Sequence, residues 1–116
     1  MKIFSLVLML MTILASQALF AHSDHQHTPI SESAAQELAL DVAGNLSSSD
    51  VGLGFGQLSK TWASVPANNV ATSKKGNGYY ILSVFNESEK KTLYILMSSS
   101  GEVYDANFTG VFEGIE

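Results

Sequence analysis

Three histidines, His22, His25 and His27, sit close together with Asp24 between the first two. Imidazole nitrogen binds copper, zinc and nickel, and several imidazoles on one flexible stretch can converge on a single ion. If the chain is cut after Ala21, His22 carries a free α-amine beside its ring, which adds a nitrogen suited to Cu(II). The spacing His-x-x-His-x-His matches neither a zinc finger nor a His-Glu-x-x-His helix. Ordering such a tail also costs about 1–2 kcal/mol per residue, so the competing reading is a solvated tail that picks up metal adventitiously. The chain has three His in all. With all of them in this stretch, no imidazole base stands beside any serine unless the tail folds back. Glu87, Glu89, Glu102, Asp105 and Glu113 are scattered over turns and strand ends, whereas a paired-carboxylate mechanism needs two facing one cleft. The expectation is a protein that is not an enzyme, with His22, His25 and His27 as its candidate metal ligands.

What precedes the histidines reads as export machinery. Residues 1–21 run from Lys2 through the apolar stretch Ile3–Leu14 to small residues, the layout of a signal peptide. Cleavage fits after Ala21, or after Ala18 with Ser16 at the minus-three position. The apolar stretch is short against the roughly 20 residues of a membrane span, so no stable insertion is expected after cleavage. The remaining chain has five lysines against eleven acidic residues, a net charge of −6 with neutral histidine. That surface disfavours nucleic acid and anionic lipid. There is no cysteine, so a periplasmic or extracellular domain this small is held by its core alone, and neither a thiolate zinc site nor a cysteine nucleophile is available.

Residues 22–29 form a His-rich mobile tail that ends at Pro29, and residues 30–116 form one domain. Ala35, Leu38, Ala39, Val42 and Leu46 fall on one stripe of a helix. Its start is set either by a Ser33/Gln36 capping box or by Ser31 with Glu32 behind it, and its stop by Gly44-Asn45. Ser47–Gly56 is a Ser- and Gly-rich linker. Its Gly52-x-Gly54-x-Gly56 pattern lacks the Lys-Ser/Thr of a phosphate loop. Leu58 and Trp62 lie four apart, as on a short helical turn that presses Trp62 into the core. Trp62 as a ligand platform is the alternative. Pro66–Asn69 is a turn, and Val70–Ser73 is a candidate edge strand.

Tyr79–Phe85, Thr92–Met97 and Glu102–Thr109 then read as three antiparallel strands, joined by the polar breaks Asn86–Lys91 and Ser98–Gly101. In the last strand Tyr104, Ala106 and Phe108 share the more apolar face. Both faces of Tyr79–Phe85 are apolar. Either the helix and the Trp62 segment cover different faces, or one face meets a partner, with Tyr79, Tyr94 and Tyr104 as the candidate partner face. The opposing reading has the tyrosines cap a thin core with their hydroxyls in water.

The segment LYILMSSSGEVYDANFTG resembles the closing hairpin of PepSY-type domains, with Ser98–Ser100 where those domains usually carry an acidic residue. Ile30-Ser31-Glu32, Trp62, Leu93-Tyr94, Gly101 and Ala106-Asn107-Phe108-Thr109-Gly110 resemble an uncharacterised family of small exported bacterial proteins with a His-rich mature N-terminus. The resemblance implies an α+β fold, with one N-terminal amphipathic helix on a three- to four-stranded antiparallel sheet, and binding of a protein or peptide. The expected function is thus a small exported non-enzymatic binding module. The alternative is periplasmic binding of Cu, Zn or Ni through the histidine cluster.

Overall fold

The computed structural model describes residues 28–115. The expected signal peptide and the three histidines lie outside the described residues. Helix α1 spans Glu32–Ser48. Four strands follow: β1 (Val70–Gly76), β2 (Tyr79–Asn86), β3 (Lys91–Ser98) and β4 (Val103–Asn107). They form one antiparallel sheet in the order β1-β2-β3-β4. This is the expected α+β arrangement, with the candidate edge strand realised in full.

Ser31, not Ser33, caps α1: its backbone is extended and its hydroxyl accepts from the Ala34 N–H at 3.1 Å. Gln36 turns instead to the sheet and donates to Thr72 Oγ1 at 3.0 Å, and that hydroxyl donates to Glu32 Oε2 at 3.0 Å. The first turns of the helix are thereby tied to β1. The helix also runs past the stop expected at Gly44-Asn45. The Ser47 hydroxyl donates to the Gly44 carbonyl at 2.6 Å, and the Ser49 N–H closes the last turn on Asn45 at 3.2 Å. Carbonyls that would have been orphaned after Gly44 are thus satisfied by the serine run itself. Ala35, Ala39 and Ala43 are fully buried, while Leu38 and Val42 are only partly covered. Small residues along the contact line let α1 lie close to the sheet, and the larger ones fill its flanks.

The inner face of the sheet carries Tyr80, Leu82 and Val84 from β2, and Leu93, Ile95 and Met97 from β3, in register as direct cross-strand partners. The helix and the 3-10 turn Lys60–Ser64 both pack there, and Trp62 is 1% exposed. Phe108 stands 5.9 Å from the Trp62 ring and 5.2 Å from that of Phe55, which closes this layer under the glycine-rich linker.

The outer face is not covered by the helix or the Trp62 segment. The helix and the Trp62 segment share the inner face, and the chain's own C-terminal residues fold back over the other. Phe112 packs on Ile81 and Leu96, with Tyr79, Tyr94 and Ile115 around them. Asn107 makes this return possible. Its Oδ1 accepts from the N–H groups of Thr109 (3.2 Å) and Gly110 (2.8 Å), and its Nδ2 donates to the Val111 carbonyl at 2.8 Å. Gly110 completes the turn with φ of 77°, its Cα so near the Tyr94 ring that an added Cβ would lie 3.2 Å from it. The Asn-Phe-Thr-Gly stretch is therefore a turn that hands the chain from one face of the sheet to the other.

Each edge of the sheet is interrupted. Register slips between Thr72 and Lys74 on β1, and opposite Leu96 and Met97 on β4. Both bulges, with Lys74 and Lys75 on the β1 edge, discourage pairing with a foreign strand. The slip on β4 also corrects the expected face of Tyr104. The residue becomes the unpaired one between Val103 and Asp105 and is 61% exposed, whereas Ala106 reaches the core as expected.

Candidate binding cleft

At the end of the sheet where β2 turns into β3, two turns face one another. One is the Lys60–Ser64 turn continuing through Val65 and Pro66 to a second 3-10 turn, Ala67–Asn69. The other is the Glu87–Lys90 loop, where Lys90 takes a positive φ of 57°. Between them lies an open cleft of about 370 Å³, lined by Thr61, Ser64, Val65, Pro66, Asn69, Asn86, Glu87 and Ser88. Its volume is within the usual range of small-ligand sites.

A knot of side-chain hydrogen bonds fixes its walls. Trp62 is buried and its indole needs an acceptor, which Glu89 provides: Nε1 donates to Oε1 at 3.1 Å. The other carboxylate oxygen accepts from Ser59 Oγ and, at 3.2 Å, from Thr61 Oγ1. Asn86, 2% exposed, donates to Thr61 Oγ1 at 3.0 Å and accepts from the N–H groups of Ser88 (2.9 Å) and Glu89 (3.3 Å). Both polar atoms of this buried amide thus have partners, as burial demands. These donors hold the Glu89 carboxyl below the usual carboxylate range: the Ser59 hydroxyl foremost, then Trp62 and Thr61, with the Lys91 charge adding to them and partial burial opposing. Across the cleft, Asn69 Nδ2 donates to the Phe85 carbonyl at 3.0 Å.

The tyrosines singled out from sequence do not form one exposed face. Tyr79 and Tyr94 are half-buried beside the Phe112 cover, and Tyr104 is exposed on β4. Among the described residues, no group of three or more His, Cys, Asp or Glu comes together to hold a metal ion. Among the same residues, no helix is long and apolar enough to cross a membrane. Sequence reasoning took Trp62 as core, correctly, but passed over the cleft, because its lining comes from two stretches read only as turns. The available signal was the buried Trp62, whose indole had to find an acceptor.

Fold and cleft together define a small helix-on-sheet domain with a solvent-open polar site at one end. The chain belongs to a family of unknown function, DUF6488, whose model matches residues 1–111. Neither the curated proteins nor the solved structures hold a significant match to it.

Proposed function

We propose that the protein is a small exported, non-enzymatic binding module that takes a segment of a protein or peptide into the cleft between the Thr61–Asn69 and Asn86–Ser88 turns. The observation that carries this reading is a cleft of about 370 Å³ whose walls are pinned by the Glu89 and Asn86 hydrogen bonds. Preorganised walls reduce the ordering cost of binding. The outer sheet face is less suited, since Phe112 and Ile115 already pack on it. Export is supported by Lys2, the apolar stretch after it and the small residues up to Ala21. Titrating the ¹⁵N-labelled chain with a panel of capped tripeptides tests the reading. Saturable shifts should map to the amides of Ser64, Asn69 and Asn86–Ser88. Shifts confined to Tyr79, Tyr94 and Tyr104, or no saturable shifts at all, would overturn it.

A second reading rests on the histidine cluster, in which His22, His25 and His27 bind a copper, zinc or nickel ion. The chain is anchored just after it: the Ile30 N–H donates to the Ser99 carbonyl at 2.8 Å, and the Tyr80 hydroxyl donates to the Ile30 carbonyl at 2.9 Å. A metal held by the cluster would therefore sit on a short tether from the β3–β4 turn. Calorimetric titration of Cu(II) and Zn(II), with a chain beginning at Thr28 as comparison, separates the readings. Stoichiometric sub-micromolar binding that the shorter chain loses supports the metal reading, and weak or unchanged binding removes it.

A further inference from the structure

The hydrogen bonds around the cleft leave it an unbalanced inventory. Its amide groups are already engaged inside the protein: Asn86 Nδ2 donates to Thr61, Asn69 Nδ2 to the Phe85 carbonyl, and the N–H groups of Ser88 and Glu89 to Asn86 Oδ1. Acceptors remain. Among the described residues the Glu87 carboxylate and the Ser64 and Ser88 hydroxyls have no bonding partner, and Asn69 keeps its side-chain oxygen. Glu87 is the one charged side chain of the lining, which includes no lysine. Buried Val65 and exposed Pro66 add an apolar wall beside these acceptors.

From this inventory we infer that the cleft binds a basic side chain of a peptide, an alkylguanidinium or alkylammonium group. This rests on the binding reading above and names its ligand class. The cationic head brings several donors and no acceptor, the complement of what Glu87, Ser64, Ser88 and Asn69 offer. Its methylene stem lies along Val65 and Pro66, as the stems of Lys and Arg do on apolar surfaces. The acidic balance of the chain, with 11 Asp and Glu against 6 Lys, draws such a ligand in rather than repelling it. An acidic peptide would place its carboxylate beside that of Glu87, the one charged group of the lining.

The test compares capped Ala-Arg-Ala with its neutral isostere, capped Ala-citrulline-Ala, by ¹⁵N shift titration of the full chain. It uses wild type, Glu87→Gln and, as a control carboxylate on the β3–β4 turn, Glu102→Gln. The arginine peptide should bind at the cleft about tenfold more tightly than the citrulline peptide, the scale of one charge-assisted hydrogen bond. Glu87→Gln should reduce that ratio to near one, and Glu102→Gln should leave it. Equal affinity of the two peptides at the cleft overturns the ligand class while the binding reading stands. Absence of cleft shifts with either peptide overturns both. A preference that survives Glu87→Gln also refutes the inference, because the charge would then be read elsewhere.

Discussion

Phe112 is expected to stabilise the domain far beyond what its place near the chain end implies. It is 7% exposed and lies on Ile81 and Leu96, themselves 5% and 7% exposed. A Phe→Ala change in a closed core costs about 3–5 kcal/mol, the transfer of the ring plus the cavity left behind. Here Val111 beside it is 75% exposed, so water can fill the hollow and most of the cavity contribution drops out. What remains is the transfer of roughly 100 Å² of ring surface at about 25 cal/mol per Å², near 2.5 kcal/mol. Residual burial in the unfolded chain trims this to about 2 kcal/mol. For a domain of this size, Phe112→Ala should lower Tm by about 8–16 °C. Thermal and urea unfolding followed by circular dichroism measure the change, with Val111→Ala as the comparison. The exposed valine should shift stability by less than about 0.5 kcal/mol. If Phe112→Ala loses no more than Val111→Ala, the C-terminal segment does not cover the outer face.

Ser31→Ala removes the helix cap and should cost about 1 kcal/mol by urea denaturation, whereas Ser33→Ala should be close to neutral. Gly101→Ala places a side chain at φ of 96° and 3.0 Å from Leu38 Cδ1. It should cost more than about 1 kcal/mol and lower Tm accordingly. Glu89 has its pKa lowered in the folded state, chiefly by the Ser59 hydroxyl. Its contribution is therefore full above the unfolded value of about 4.3 and fades as pH falls through the lower folded one. Thermal melts should show wild type more stable than Glu89→Gln at pH 7, with the gap narrowing as the pH is taken well below 4.3. A gap that widens in acid would contradict the assignment.

The elements were legible because each rests on local chemistry. Apolar periodicity placed α1, and apolar runs bounded by polar breaks placed β2 and β3 within a residue of their observed ends. The misreadings came where distant groups decide. Ser33/Gln36 satisfies the capping pattern as well as Ser31 does locally, yet Gln36 is drawn away by Thr72 on β1. Gly44-Asn45 looks like a stop, but the hydroxyls of Ser47 and Ser48 bond back to the Gly44 carbonyl and carry the helix on. Tyr104 shares the sequence parity of Ala106 and Phe108, but the bulge opposite Leu96 and Met97 takes it off their face. The apolar second face of β2 was visible, but its cover was not, since Phe112 and Ile115 are too few to show a period. The cleft was hidden for a related reason: Trp62 and Glu89 are 27 residues apart, and only the fold brings them into contact.

The central claim, that the protein binds through the cleft, is tested most directly by site-specific photo-crosslinking of the full-length chain in its host. A benzoylphenylalanine is placed at Ser64 on the cleft wall or at Tyr104 on the outer edge of the sheet. The account predicts a discrete adduct from position 64, its yield reduced by Glu87→Gln, and none from position 104. Adducts from position 104 with none from position 64 would contradict it and move the binding surface to the sheet.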